Sequence, residues 1–165
     1  MKIRQLNSRD AKAYLKIRLE ALQADPEAFA SSYEEEKRYS LEKVQNRLEE
    51  DFSYTLGAFE SETLVAVVSV VREQRTKIKH RANIYAMYVT PEKRGCGTAR
   101  NLMVKAIEVI KQMDGIEQVY LSVVANNEPA KRLYKSFGFK TYGIDRKALK
   151  VENVYLDEEL MVLNL

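Results

Sequence analysis

Apolar residues along this chain change their period several times, and each change marks a new element. Lys2 to Leu6 alternates as a short strand. Ala11, Tyr14, Leu15, Leu19 and Leu22 then recur at helical spacing, with Asn7 or Ser8 as the cap. This helix is expected to stop near Asp25-Pro26, and a second to run from Ser40 to about Glu50, after the polar connection PEAFASSYEEEKRY. Phe52 to Phe59, Thr63 to Val71 and Ile78 to Val89 are rich in β-branched and aromatic residues and are joined by polar turns, which is the pattern of an antiparallel meander.

The clearest helical stripe follows: Ala99, Leu102, Met103, Ala106, Ile107, Ile110 and Met113. Val119 to Val124 is apolar on both faces, as expected of a strand buried in a sheet and parallel to the one before the helix. A strand, helix and strand in this relation imply a right-handed crossover. Asn127 caps a shorter helix that carries Ala130, Leu133, Tyr134 and Phe137 on one face and closes at Gly138. Phe139 to Ile144 and Leu160 to Leu165 are left as two terminal strands. No repeat, low-complexity tract or linker interrupts the pattern, so residues 1–165 are expected to form a single domain.

Between the strand ending at Val89 and the long helix, the chain turns through Arg94-Gly95-Cys96-Gly97-Thr98-Ala99. Glycines let the backbone approach a ligand closely, and the first turn of the helix offers N–H groups that no carbonyl of its own claims. A diphosphate is the natural occupant. The dinucleotide fingerprint needs a small residue three positions after its second glycine, where this chain has Arg100. The Gly-Lys-Ser/Thr loop of nucleoside triphosphatases is absent.

Arg94 to Ala99 does match Arg-x-x-Gly-x-Ala, which resembles the acyl-CoA pyrophosphate loop of the GNAT N-acetyltransferase family. Downstream, Asn127, Ala130, Leu133, Tyr134, Gly138 and Phe139 fall in register with the same family's second motif, Asn-x-x-Ala-x-x-Leu-Tyr followed by Gly-Phe. The resemblance is strong over residues 84 to 140 and loose in the first half. It implies an α/β (α+β) fold: a mixed, mostly antiparallel central sheet of about six or seven strands, helices on both faces and a splayed parallel strand pair. It also implies transfer of an acetyl group from acetyl-CoA to a primary amine by direct attack, the amine being a small molecule, a polyamine, an aminoglycoside, or a protein lysine or N-terminus. The competing reading is a non-catalytic acyl-CoA sensor or partner-binding module.

By the same resemblance, main-chain groups of Met87, Tyr88 and Val89 would bond the pantetheine arm. Arg94, Gly95, Cys96, Gly97, Thr98 and Ala99 would hold the pyrophosphate, and Asn127 would touch the cofactor. Tyr134 would donate a proton or hydrogen bond to the departing thiolate. Read without the family, Tyr134 is a packing residue and Asn127 a plain helix cap. Some family members carry a glutamate six residues before the valine that ends this strand; here the position is Asn83, which cannot take a proton from the amine. Family layout places Tyr33 and the acids Glu34, Glu35 and Glu36 nearest the acceptor, although three successive glutamates alone read as a solvated face. Arg18 falls on the apolar stripe of the first helix and needs a partner; we read it as half of a structural pair.

Other chemistry finds little support. Cys96 has no histidine near it in the pattern, since the only one, His80, lies in the basic turn REQRTKIKHR (Arg72 to Arg81), and no Cys/His/carboxylate set has metal-ligand spacing. Gly-x-Ser-x-Gly is absent. With 27 basic and 24 acidic residues the net charge is +3, and apart from that turn the signs are mixed, which speaks against nucleic-acid binding. Leu64 to Val71 is too short to span a bilayer, and MKIRQLNSRD is charged where a leader would be apolar, so a cytoplasmic protein is expected. The apolar end LMVLNL would serve either a homodimer or the sheet of a monomer.

Overall fold

In the computed structural model, which describes residues Met1–Leu165, the alternating segments assemble into one sheet. Its strands are β1 (Lys2–Gln5), β2 (Ser53–Glu60), β3 (Thr63–Arg72), β4 (Arg81–Val89), β5 (Gln118–Val124), β6 (Lys140–Val151) and β7 (Val154–Asn164), in the order β1-β2-β3-β4-β5-β7-β6. Every neighbouring pair is antiparallel except β4 and β5. The helices are α1 (Ala11–Ala24), α2 (Tyr33–Glu36), α3 (Leu41–Leu48), α4 (Thr98–Gln112) and α5 (Glu128–Ser136).

Two apolar clusters cover the two faces of the sheet. On one face, Leu102, Met103, Ala106 and Ile110 of α4 and Tyr134 of α5 pack with Leu56, Val68, Val70, Ile84 and Leu121. On the other, Tyr14, Ile17 and Ala21 of α1 and Val44 and Leu48 of α3 pack with Phe59, Leu64, Val67 and Tyr88. Each large side chain buried in these clusters contributes about 1.5–3 kcal/mol relative to exposure. The sandwich of helices on both faces of a mixed sheet is the expected architecture.

One charged pair lies inside the second layer. Arg18 on α1 donates through Nε and Nη2 to the Glu36 carboxylate on α2, at 2.9 to 3.2 Å, and its guanidinium lies 4.7 Å from the centre of the Phe29 ring. Both residues are buried, Glu36 at 2% exposure, and Nη1 of Arg18 is sealed without a partner. The structural reading of Arg18 therefore holds, and Glu36 is not part of a solvated face.

Some boundaries differ from those expected. The segment before Arg81 is a turn, in which Ile78 N–H bonds the Arg75 carbonyl and Arg81 N–H the Ile78 carbonyl, so β4 begins later than Ile78. The connection before α3 contains α2, started by a capping box between Ser32 and Glu35. β6 and β7 are far longer than the terminal strands read from the sequence. Leu160 to Asn164 of LMVLNL lie within β7, between β5 and β6, and the Leu165 N–H bonds the Glu117 carbonyl, so this end completes the chain's own sheet.

Candidate active site

The central feature follows from how β4 and β5 are bonded on their other sides. The parallel pair shares only Arg81↔Gln118, Ala82↔Val119 and Asn83↔Tyr120, although β4 continues to Val89 and β5 to Val124. β5 is held to β7 along its whole length. β4 follows β3 through a register shift opposite Val67 to Ser69, where Ala86 takes the left-handed φ of 53°. Such a bulge bends and twists the strand that carries it. The result is a V-shaped cleft whose walls present main-chain groups that no neighbouring strand uses. Met87, Tyr88 and Val89 lie on the wall beyond the bulge.

The loop expected to bind an anion stands at the mouth of the V, directly after β4. Gly95 and Gly97 have φ of 75° and 85°, which side chains with a Cβ rarely adopt, and nothing lies within 4 Å of where a Cβ would project. α4 starts at Thr98 with no side-chain cap, its first internal loop bond being Asn101 N–H to the Gly97 carbonyl. No acceptor in the chain takes any main-chain N–H from Gly95 to Arg100. A run of unclaimed donors at the positive end of a helix fits a diphosphate. Cys96 is exposed and its thiol donates to the Lys93 carbonyl at 3.0 Å; His80 lies far off, below the first rungs of β5, where its carbonyl accepts from Glu117 and Gln118.

Arg94 is turned away from this loop. Its Nε donates to the Val89 carbonyl at 3.0 Å, its Nη2 pairs with Asp25 at 2.6 Å, and its guanidinium lies 5.5 Å from the centre of the Tyr88 ring. Tyr88 in turn donates to Glu20 of α1 at 2.9 Å, and burial together with that bond pushes its phenol up to about 12.

Tyr134 stands on α5, a helix begun by Asn127, whose Oδ1 accepts from the Ala130 N–H at 3.3 Å, and is buried in the apolar layer that also holds Ile84 of β4 and Leu121 of β5. Its ring packs edge-on against Phe139 at 6.1 Å, and burial pushes its phenol up to about 12. The only sealed side-chain polar atoms without a partner are on Arg18 and Arg81, so the Tyr134 hydroxyl is not locked away.

The acceptor residues expected from family layout are dispersed. Asn83 sits at the apex of the V, where its amide donates to Glu73 at 2.9 Å. Tyr33 stacks with Lys37, Glu34 pairs with the same lysine while mostly exposed, and Glu35 spends its carboxylate on the Ser32 cap. The structure shows another acid that sequence reading missed. Glu158 on β7 lies opposite Val124 at the open end of β5 and opposite Asp145 of β6. Its neighbour Glu159 pairs with Lys131 of α5, so Glu158 faces the other side of the sheet, the side of α1. Neither Glu158 nor Asp145 has a cationic partner; burial, and then Asp145, hold the Glu158 carboxyl above its ordinary range. In the sequence, Asp157-Glu158-Glu159 looks like one more solvated run, and only the strand register separates its members.

A cleft opened by a bulged strand, an anion loop at its mouth and a tyrosine from the following helix describe the acyl-CoA fold that the motifs suggested. Residues 3–160 match the family model described as acetyltransferase (GNAT) domain, and the chain belongs to that family. It is 35% identical over 138 residues to a mycothiol acetyltransferase of Brachybacterium faecium, a match covering 84% of this chain and 40% of that protein. A mycothiol acetyltransferase of Thermobispora bispora is 28% identical over 145 residues, 83% of this chain and 45% of that one. The chain thus spans less than half the length of these curated relatives. Among solved structures, a GNAT-family acetyltransferase from Streptococcus pneumoniae superposes with a TM-score of 0.89 at 20% identity, over 99% of both chains. A Salmonella typhimurium structure determined with acetyl-CoA gives 0.87 at 19% identity, over all of this chain and 94% of that one. No helix is long and apolar enough to cross a membrane, and no group of three His, Cys, Asp or Glu side chains is placed to hold a metal ion.

Proposed function

We propose that this chain, as a single domain over residues 1–165, transfers an acetyl group from acetyl-CoA to a primary amine. The observation that carries the reading is the row of unclaimed N–H groups from Gly95 to Arg100 at the mouth of the cleft between β4 and β5. Acetyl-CoA supplies a thioester that an amine attacks and a thiol that leaves. Gly95, Cys96, Gly97, Thr98 and Ala99 would hold its diphosphate through main chain, and those main-chain groups of Met87, Tyr88 and Val89 that neither β3 nor Arg94 uses would bond the arm between the strands. Asn127 keeps its amide nitrogen free for the cofactor while its oxygen caps α5.

Tyr134 acts as a hydrogen-bond donor to the sulfur. A free thiol has a pKa near 8.5, whereas this phenol is held at about 12, so full proton transfer to the thiolate is uphill and a shared proton is the stabilising state.

The acceptor is a cationic amine. Glu158 and Asp145 form a carboxylate pair with no cation of the chain beside it, on the α1 side of the cleft. An alkylammonium supplies the missing charge, and Glu158, with its raised pKa, is the carboxylate suited to receive the proton the amine must lose. Asn83 leaves β4 without an acid for that task. Thiol release from acetyl-CoA across a panel of polyamines, aminoglycosides, lysine peptides, peptide N-termini and the acceptor of the mycothiol enzymes tests the reading. Turnover with any amine supports it; tight acetyl-CoA binding without turnover on any of them favours the sensor.

A further inference from the structure

The loop that would hold the diphosphate is not free-standing. Arg94, its first residue, is fixed at one end by the Val89 carbonyl and at the other by Asp25, the residue where α1 stops. Asp25 is also the start of a single helical turn, Pro26–Ala28, closed by the Ala28 N–H on the Asp25 carbonyl at 2.9 Å. That turn packs against β5 and β6, the strands on either side of β7. The contacts therefore run from the anion loop through Arg94 to Asp25 and across to the far wall of the V, over the face on which Glu158 stands. The near end of this strap is held by Tyr88, whose hydroxyl bonds Glu20 one turn and a half before Asp25.

We infer that Arg94 is a positioning residue which couples the two halves of the site, so that filling the diphosphate loop orders the strap Asp25–Ala28 and sets the acceptor pocket. The inference rests on the acetyl-CoA reading above. The loop has the freedom to respond, because Gly95 and Gly97 are in left-handed conformations with open space around them. The arginine has no such freedom: a displacement of its backbone is passed to Asp25 through a guanidinium that is bonded at both ends. Coupling of this kind is reciprocal, so an occupied acceptor side also tightens acetyl-CoA binding. Arg94 and Asp25 keep 45% and 36% side-chain exposure, which limits the effect to the modest range of solvent-screened pairs and makes it sensitive to salt.

The test is hydrogen exchange by mass spectrometry on wild-type protein, Asp25→Ala and Arg94→Gln, each with and without saturating acetyl-CoA, with calorimetry on the same samples. In the wild type, acetyl-CoA slows exchange in both the loop 95–104 and the strap 25–28, the latter about two- to fivefold. In Asp25→Ala the coenzyme still binds and still protects the loop, while the strap exchanges at its unliganded rate. Asp25→Asn, which keeps the shape at the helix end, gives an intermediate value and controls for the lost side-chain volume, since the Asp25 side chain makes no capping bond. Equal strap protection in wild type and Asp25→Ala overturns the coupling, as does a wild-type strap unmoved by bound acetyl-CoA. Calorimetry showing no acetyl-CoA binding to the wild type overturns the functional reading and the coupling with it.

Discussion

Asn83 and Tyr120 form the last rung between β4 and β5, and the strands part beyond it. The cleft is therefore defined by where bonding stops. β5 stays paired with β7 to Val124, while β4 stays paired with β3 through the bulge at Ala86. A cofactor lying in the gap would take up main-chain groups that the fold leaves open, in the manner of an added strand.

Tyr134→Phe removes the hydroxyl and keeps the ring packed on Phe139. Turnover should fall about tenfold or more, with acetyl-CoA affinity nearly unchanged, as expected for an interaction used only in the chemical step. Steady-state rates with an active amine, beside calorimetric titration of acetyl-CoA, check this. Unchanged kcat would take Tyr134 out of the mechanism.

The same phenol makes folding sensitive to alkali. Folded Tyr134 holds its proton up to about 12, whereas an unfolded tyrosine loses it near 10. Between those values the unfolded chain binds fewer protons than the folded one, so stability is greatest below pH 10 and is lost as pH rises from 10 through 12. Tyr88, also held at about 12, acts in the same direction. Denaturant melts at pH 8, 10 and 11 should show this fall, and Tyr134→Phe should show a smaller one.

Glu158→Gln should raise KM for cationic amines about fivefold while sparing acetyl-CoA affinity, the size expected of a half-exposed charge pair. In the wild type KM should rise as pH falls through the Glu158 pKa, which burial and Asp145 hold above the ordinary glutamate range; the facing residue of β5, Val124, carries no charge. KM measured from pH 5 to 8 in both proteins would show a pH dependence in the wild type that the variant lacks. Parallel profiles would assign the acceptor site elsewhere.

Glu36→Ala leaves the Arg18 guanidinium buried without its carboxylate and should cost about 3–5 kcal/mol of stability. The double variant Arg18→Met, Glu36→Leu removes both charges and should be closer to wild type. Chemical denaturation of the three proteins would reveal the non-additivity.

Gly97→Val puts a β-branched side chain at a φ of 85° and over the anion loop. Backbone strain of about 1–2 kcal/mol is expected from the left-handed conformation, together with weaker acetyl-CoA binding. Melting and calorimetry separate the two effects, and undiminished affinity in a folded variant would contradict the loop assignment.

Much of this was legible in the chain itself, for reasons tied to particular residues. The stripe from Ala99 to Met113 and the doubly apolar Val119 to Val124 declare their elements because both are buried. β6 and β7 were harder to read. Asp145 to Lys150 is an edge segment with most side chains in solvent, so its polarity hides its strand. The glutamates after Tyr33 show the limit of local reading: Glu34 is solvated, Glu35 caps a helix and Glu36 is buried, and nothing in three identical letters separates them. Glu158 was invisible for the same reason, since its orientation comes from a register with strands far away in the sequence. The role of Arg94 was also hidden, because its partner, Asp25, belongs to a distant loop.

The most direct test is a crystal structure of the chain with acetyl-CoA. Diphosphate oxygens should lie within hydrogen-bond reach of the N–H groups between Gly95 and Arg100, with the sulfur facing the Tyr134 hydroxyl between β4 and β5. A coenzyme bound outside this cleft, or a cleft left empty at saturating concentration, would contradict the assignment.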